Sequence, residues 1–223
     1  MPFTPLPATF VEDLRPFGPL RAGCHEVLEL GSGDGLFADL LRREGVEPVT
    51  LDRRRRATGA APVICGDALE PPLRARFRVV VAANLLRHLW PRVRANGPRR
   101  WRDLVAPDGC LWIFEDEPLA NPPAARHYRD LQALLAGLDP RTRGPLLASG
   151  EFRRQRCRWD WTGRWRDGTA VNHWPLSAPR IVEFLSAGLT GADGDAARLV
   201  AAIGRDGVTC GRYWWSRWQP EAI

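Results

Sequence analysis

Glu29, the three glycines Gly31, Gly33 and Gly35, and the carboxylates Asp52 and Asp67 are the residues whose type and order point most directly to chemistry. Glycines at alternate positions let a backbone turn tightly and come close to a ligand with no side chain in the way. The N–H groups of a helix start that follows such a turn face whatever is bound there. Asp52 closes a second short apolar run, Val49-Thr50-Leu51-Asp52, at the distance expected of a residue that grips ribose hydroxyls. The spacing Gly31-x-Gly33-x-Gly35 is not the dinucleotide fingerprint G-x-G-x-x-G, because the third glycine comes one place early. For proton transfer the candidates are His88, His127, His173 and the run Glu115-Asp116-Glu117, since a neutral imidazole suits physiological pH.

These residues need a scaffold, and the hydrophobic pattern supplies one. Glu26 to Leu30 reads as a strand that ends at the glycine turn, followed by a helix with Leu36, Phe37, Leu40 and Leu41 on one face, ended by Gly45. Pro62 to Ala68 is a third short strand, ending in Gly66-Asp67-Ala68. Phe77-Arg78-Val79-Val80-Val81-Ala82-Ala83 is a buried β-branched run and the strongest strand in the chain. Pro98 to Val105 reads as a short helix, Ala106 to Gly109 as a turn, and Leu111 to Phe114 as a fifth strand. Pro123 to Leu138 is an amphipathic helix.

Residues 151 to 176 alternate and contain Asp167-Gly168, which argues for a β-hairpin or meander. This insertion carries Trp159, Trp161, Trp165 and Trp174, either as aromatic walls for a flat or apolar acceptor or as a small satellite core. Ser177 to Ala187 has a helix start with a capping serine and an early proline. A closing antiparallel hairpin is expected from Arg198 to Ile203 and Val208 to Trp218, although Ala196 to Ile203 fits a helix as well. A helix near Thr9 to Arg15 is expected to act as a lid at the ligand mouth or as an apron over the core.

With Glu29 ahead of the glycines and these motifs in order, the chain resembles the class I S-adenosylmethionine-dependent methyltransferases, in their small-molecule branch. The resemblance covers roughly residues 26 to 118. It implies an α/β fold: a Rossmann-like, seven-stranded, mostly parallel sheet with helices on both faces, an antiparallel C-terminal hairpin and a small β-rich insertion. It implies S-adenosyl-L-methionine as cofactor, held by Glu29, Gly31, Ser32, Gly33, Gly35 and Asp52. Arg53 would lie along the adenine, while Asp67 and the Ala68 N–H would recognise its edge. Asn84 and Leu85 would border the methionine half. His88 would lie near the transferred methyl, in a segment Asn84-Leu85-Leu86-Arg87-His88-Leu89 that lacks the Asn/Asp-Pro-Pro-aromatic motif of many nucleic-acid amino-methyltransferases. A single domain, 1–223, then divides into a lid segment (1–25), a cofactor-binding half (26–118), an acceptor-side helix and insertion (119–176) and a closing helix and strands (177–223).

Composition bounds the remaining choices. The chain of 223 residues, 44% hydrophobic, suits one domain with its own core. Five scattered cysteines without C-x-x-C pairs read as reduced thiols of a cytoplasmic protein, with no metal site expected. Residues 1 to 20 lack the features of a secretory signal, and no apolar run reaches membrane-spanning length. The net charge of +6 invites a nucleic-acid partner. All 32 basic residues are arginine, however, a pattern of GC-rich coding rather than of a selected phosphate track. A small-molecule acceptor is therefore favoured over RNA or protein, with a non-catalytic cofactor-binding subunit as a further alternative, and the chain is expected to be a monomer or homodimer.

Overall fold

A computed structural model describes residues 8–15, 26–33, 35–53, 63–117, 123–124, 126–127, 130, 147–159, 164–171, 194–207 and 212–220. The strands are β1 (Val27–Leu30), β2 (Val49–Asp52), β3 (Val63–Cys65), β4 (Phe77–Ala83), β5 (Val105–Glu117), β6 (Arg164–Val171) and β7 (Arg212–Gln219). The helices are α1 (Ala8–Leu14), α2 (Leu36–Arg43), α3 (Leu86–Val93), α4 (Arg99–Asp103), α5 (Ser149–Arg156) and α6 (Gly194–Asp206). One sheet runs in the order β3-β2-β1-β4-β5-β7-β6. Neighbours from β3 through β5 are parallel, and β7 is antiparallel to both β5 and β6. The fold is thus α/β and Rossmann-like.

Strand side chains alternate between two cores, as the pleat requires. On one face Val80, Ala82, Leu111, Ile113, Trp214 and Trp218 meet Leu86 and Trp90 of α3, Trp101 of α4 and Phe152 of α5. On the other, Val79, Val81, Cys110, Trp112, Phe114 and Tyr213 meet Phe10 and Leu14 of α1 and Leu41 of α2. Gly45 closes α2 with φ 79°, while the Val46 N–H returns to the Leu41 carbonyl. The expected turn at Ala106–Gly109 is a bulge inside β5. Phe77 faces Val105 and Val79 faces Cys110, so the residues between are extruded. Gly109 lies against the backbone of Arg78, where a Cβ would come within 2.7 Å of the Arg78 carbonyl oxygen.

Three expectations change. The stretch from Ser149 to Arg156 is a helix, not a strand. Its apparent alternation came from arginines, which are good helix formers, and one buried anchor, Phe152, suffices to dock it on Trp214 at 4.5 Å between ring centroids. Asp167 and Gly168 form no turn either: both lie in β6, with Gly168 paired to Trp215. A glycine in a strand admits a bulky cross-strand neighbour. The insertion is therefore not a separate β unit but contributes β6 as an edge of the main sheet. Finally, residues 198 to 203 belong to helix α6, so the antiparallel partner of β7 is β6 and not a strand beginning at Arg198. Pro123, Ala124, Arg126, His127 and Asp130 are helical as expected. The helix expected from Ser177 to Ala187 lies outside the described residues.

Candidate functional site

The parallel strands β1, β2, β3 and β4 end at the same edge of the sheet, and that edge gathers the candidate residues. Leu30 pairs with Leu51 and with Ala82, and Asp52 pairs with Cys65. In an open α/β sheet this carboxyl edge is where ligands sit. Glu29 lies in β1 with 2% of its surface exposed. The loop that follows is shaped by left-handed glycines, Gly31 at φ 68°, Gly33 at 55° and Gly35 at 84°. The Gly31 and Ser32 N–H groups donate to the Leu51 carbonyl at 2.7 and 3.2 Å, and the Gly35 N–H donates to that of Ser32. The loop is thereby folded back on β2.

Asp52 continues that attachment, since its Oδ2 accepts the Gly33 N–H at 2.8 Å. The acid at the end of β2 and the glycine loop after β1 are one hydrogen-bonded unit. Helix α2 then starts from Gly35 without a side-chain cap. Among the described residues, an added Cβ would meet nothing within 4 Å at Gly35 and only the loop's own Gly31 carbonyl oxygen, at 3.9 Å, at Gly33. The loop therefore presents an open backbone face. At Gly31 a Cβ would lie 2.5 Å from Leu85 Cδ1, so Leu85 closes that side.

Asp67 follows β3. Its Oδ1 accepts the Leu69 N–H at 2.9 Å, an Asx turn, and Arg92 reaches Oδ2 at 3.5 Å. The Leu69 N–H chiefly, with the charges of Arg92 and Arg53, holds this carboxyl below its ordinary range against a smaller opposing cost of burial. Ala68 is buried, and its carbonyl accepts the Trp101 indole N–H at 2.7 Å. Arg53 is exposed beside this segment, and its carbonyl faces the Cys65 thiol. The arginines at 54 to 56 lie outside the described residues.

Asn84, between β4 and α3, has φ 53°, the only positive value at a non-glycine among the described residues. Its N–H donates to the Phe114 carbonyl, and its Oδ1 accepts the Asp116 N–H at 3.1 Å. Asparagine tolerates this conformation better than most residues.

Of the three candidate histidines, His88 is exposed on α3, with its Nε2 3.5 Å from the Arg87 Nε. His127 contacts Asp206 at the end of α6 at 2.8 Å. His173 lies outside the described residues. Of the acidic run, Glu115 is buried at 1% exposure and Asp116 pairs with Arg87 at 3.2 Å. Burial drives the Glu115 carboxyl up to about 8, opposed mainly by the Arg87 charge. Arg87 went unremarked in the sequence. Arginine is abundant here, and only tertiary structure distinguishes one that is 7% exposed.

The tryptophans of the insertion divide. Trp159 belongs to the core, packed against Trp90 and Phe152 with its indole N–H on the Arg94 carbonyl. Trp161 and Trp174 lie outside the described residues, and Trp165 stands in β6 opposite Trp218. Among the described residues no group of histidine, cysteine and carboxylate side chains could hold a metal ion, and no helix is long and apolar enough to cross a membrane.

No family model and no curated protein sequence matches the chain. Solved structures do. A SAM-dependent methyltransferase from Geobacter sulfurreducens in complex with S-adenosylhomocysteine is 17% identical, with a TM-score of 0.50 over 96% of this chain and 89% of that one. The YcgJ protein of Bacillus subtilis is 14% identical, at a TM-score of 0.51 over 90% and 95%. A Haemonchus contortus phosphoethanolamine N-methyltransferase, in complex with phosphomonomethylethanolamine and S-adenosylhomocysteine, is 15% identical at 0.50, covering 96% of this chain and 53% of that one. At these identities the likeness establishes the fold alone, the α/β Rossmann-like sheet that the chain shares with these structures.

Proposed function

We propose, from this shared fold and the unit made by Asp52 and the glycine loop, that the chain is a methyltransferase using S-adenosyl-L-methionine. It moves a methyl group to O or N of a small, aromatic or apolar metabolite. The observation that carries the reading is the Gly33 N–H bonded to Asp52 Oδ2, with the open glycine backbone beside it. That cradle fits an adenosine-bearing ligand. Asp52 would hold the ribose hydroxyls, Gly31 to Gly35 with Ser32 and Glu29 the amino-acid portion, and Arg53, Asp67 and Ala68 the adenine. Asn84 and Leu85 would complete the wall.

The bound cofactor supplies a methyl on a positively charged sulfur, which is already a good leaving group. The protein's task is then to align the acceptor in line with that methyl and to exclude water, and alignment alone can remove several kcal/mol of barrier. A base is needed only for an acceptor that arrives protonated. His88, on the helix that leaves the cofactor edge, is better placed for that work than His127, which is engaged with Asp206. His173 stays a candidate on sequence alone. We place the protein in the cytoplasm, as a monomer or homodimer, with α1 of the segment 1–25 serving as an apron over the core and 119–176 on the acceptor side.

Thermal melting with S-adenosylhomocysteine tests the cofactor reading. A hundredfold excess over the dissociation constant should stabilise the protein by about 2.7 kcal/mol. Incubation with labelled S-adenosylmethionine and a panel of small acceptors tests the rest. Transfer to RNA or protein alone would reject the small-molecule reading.

One observation favours a second reading, an RNA acceptor. Arg94, Arg99, Arg102, Arg153, Arg154 and Arg158 are exposed and form no ion pair among the described residues, on elements that Trp159 joins. Activity on RNA that falls steeply with added salt would support it.

A further inference from the structure

Glu115 is buried at the carboxyl edge with no part in the proposed transfer, and its partners lead to the cofactor loop. Its Oε1 accepts the Arg87 N–H in the first turn of α3 at 3.1 Å. Helix α3 has no side-chain cap of its own, so a carboxylate from β5 serves that end. The other oxygen, Oε2, is buried without a hydrogen bond and stands 3.9 Å from the Arg87 Nε. Immediately before α3, Leu85 packs over Gly31, and Asn84 is held in its left-handed conformation by bonds to Phe114 and Asp116 of β5.

We propose that Glu115 is a positioning residue of the cofactor edge: ionised, it anchors the start of α3 and so holds Leu85 against Gly31, whereas its protonation loosens the glycine loop. A negative charge at a helix start is stabilising, and backbone N–H groups bond more strongly to a carboxylate than to a carboxylic acid. Protonation would also put an O–H donor on Oε2, which has no hydrogen-bond partner. Among the described residues, the charged and titratable groups around Glu115 are few. Arg87 faces it from α3 and is shared with Asp116 of β5, and His88 reaches the same guanidinium. From β7, Trp214 pairs with Glu115 and Tyr213 with Asp116. Burial pushes the Glu115 carboxyl up to about 8, opposed first by the Arg87 charge.

The test has two arms, and its binding arm rests on the cofactor reading. Calorimetry would follow the dissociation constant of S-adenosylhomocysteine from about pH 6 to about pH 10 for the parent protein and Glu115→Gln, which keeps an acceptor oxygen but no charge. Titration of the ligand itself cancels between the two. The parent should gain affinity by about two- to fivefold relative to the variant as pH rises through the Glu115 midpoint. Nuclear magnetic resonance of the ligand-free parent would follow the Glu115 carboxyl carbon and the backbone amides of Gly31, Leu85 and Arg87. All four should titrate with one midpoint. Parallel affinity profiles, or amides of Gly31 and Leu85 that stay put while Glu115 titrates, would overturn the proposal. If neither protein binds S-adenosylhomocysteine, the cofactor reading fails and the amide titration alone decides the positioning role.

Discussion

Asp52 has two duties, one toward Gly33 and one proposed toward a ribose, and substitutions can separate them. Asp52→Ala removes both, and charge-assisted hydrogen bonds are worth about 1.5–3 kcal/mol each. S-adenosylhomocysteine should therefore bind about tenfold or more weakly by calorimetry; an unchanged constant would remove Asp52 from the site. Asp52→Asn keeps an acceptor for the Gly33 N–H and should retain the parent melting temperature. Gly31→Ala is the sharper test of the loop. It places a Cβ 2.5 Å from Leu85 Cδ1 on a backbone at φ 68°, where a side chain costs about 1–2 kcal/mol. It should lower the melting temperature and displace Leu85. Gly33→Ala should cost only the backbone strain, since its Cβ meets nothing closer than ordinary contact with the Gly31 carbonyl oxygen at 3.9 Å. Residues like these were legible in the sequence because a glycine turn and a strand-end acid are dictated locally. Arg87 was not, and Glu115 stood out only as one of three adjacent candidate bases, because each acquires its meaning from a partner on a different element.

At the scale of elements, the pairing of β5 with α3 makes stability depend on pH. Burial pushes the Glu115 carboxyl up to about 8 in the fold, from an ordinary 4.5. Between those values the folded chain binds more protons than the unfolded one, so stability falls as pH rises through that window, by on the order of a few kcal/mol. Asp67 acts in the opposite sense: its depressed carboxyl adds stability that is lost as pH falls into the acid range. Chemical denaturation at pH 5 and at pH 8.5 should show the decline in the parent protein, and Glu115→Gln should flatten it. Legibility also varied by element. Strands β2 and β4 were expected with the bounds the structure has, because buried parallel strands are continuous apolar runs. Helix α5 departs from the strand its alternation suggests, since a helix docked by one phenylalanine leaves almost no periodic signal. Helix α6 was ambiguous because alanine-rich, partly exposed sequence fits either state.

Across the whole molecule, α1 ties the start of the chain to its last strand. Phe10 sits edge-on to Trp112 and Phe114, with centroids 5.1 Å away in each case. Asp13 accepts the Trp112 indole N–H at 2.7 Å and the Arg217 guanidinium at 2.7 Å. Phe10→Ala should cost about 3–5 kcal/mol, the usual price of a phenylalanine-sized cavity, with a shift in tryptophan emission in the native state. The sheet order carries a further consequence for biosynthesis. β7 lies between β5 and β6, so the two earlier strands have no contact until the chain between Arg212 and Gln219 is made and slotted into the gap. A ribosome pausing before Arg212 would leave β6 translated but without β7 beside it. Assembly of that margin therefore has to await late codons, and force-profile measurements on arrested nascent chains should register pulling only once β7 has cleared the exit tunnel.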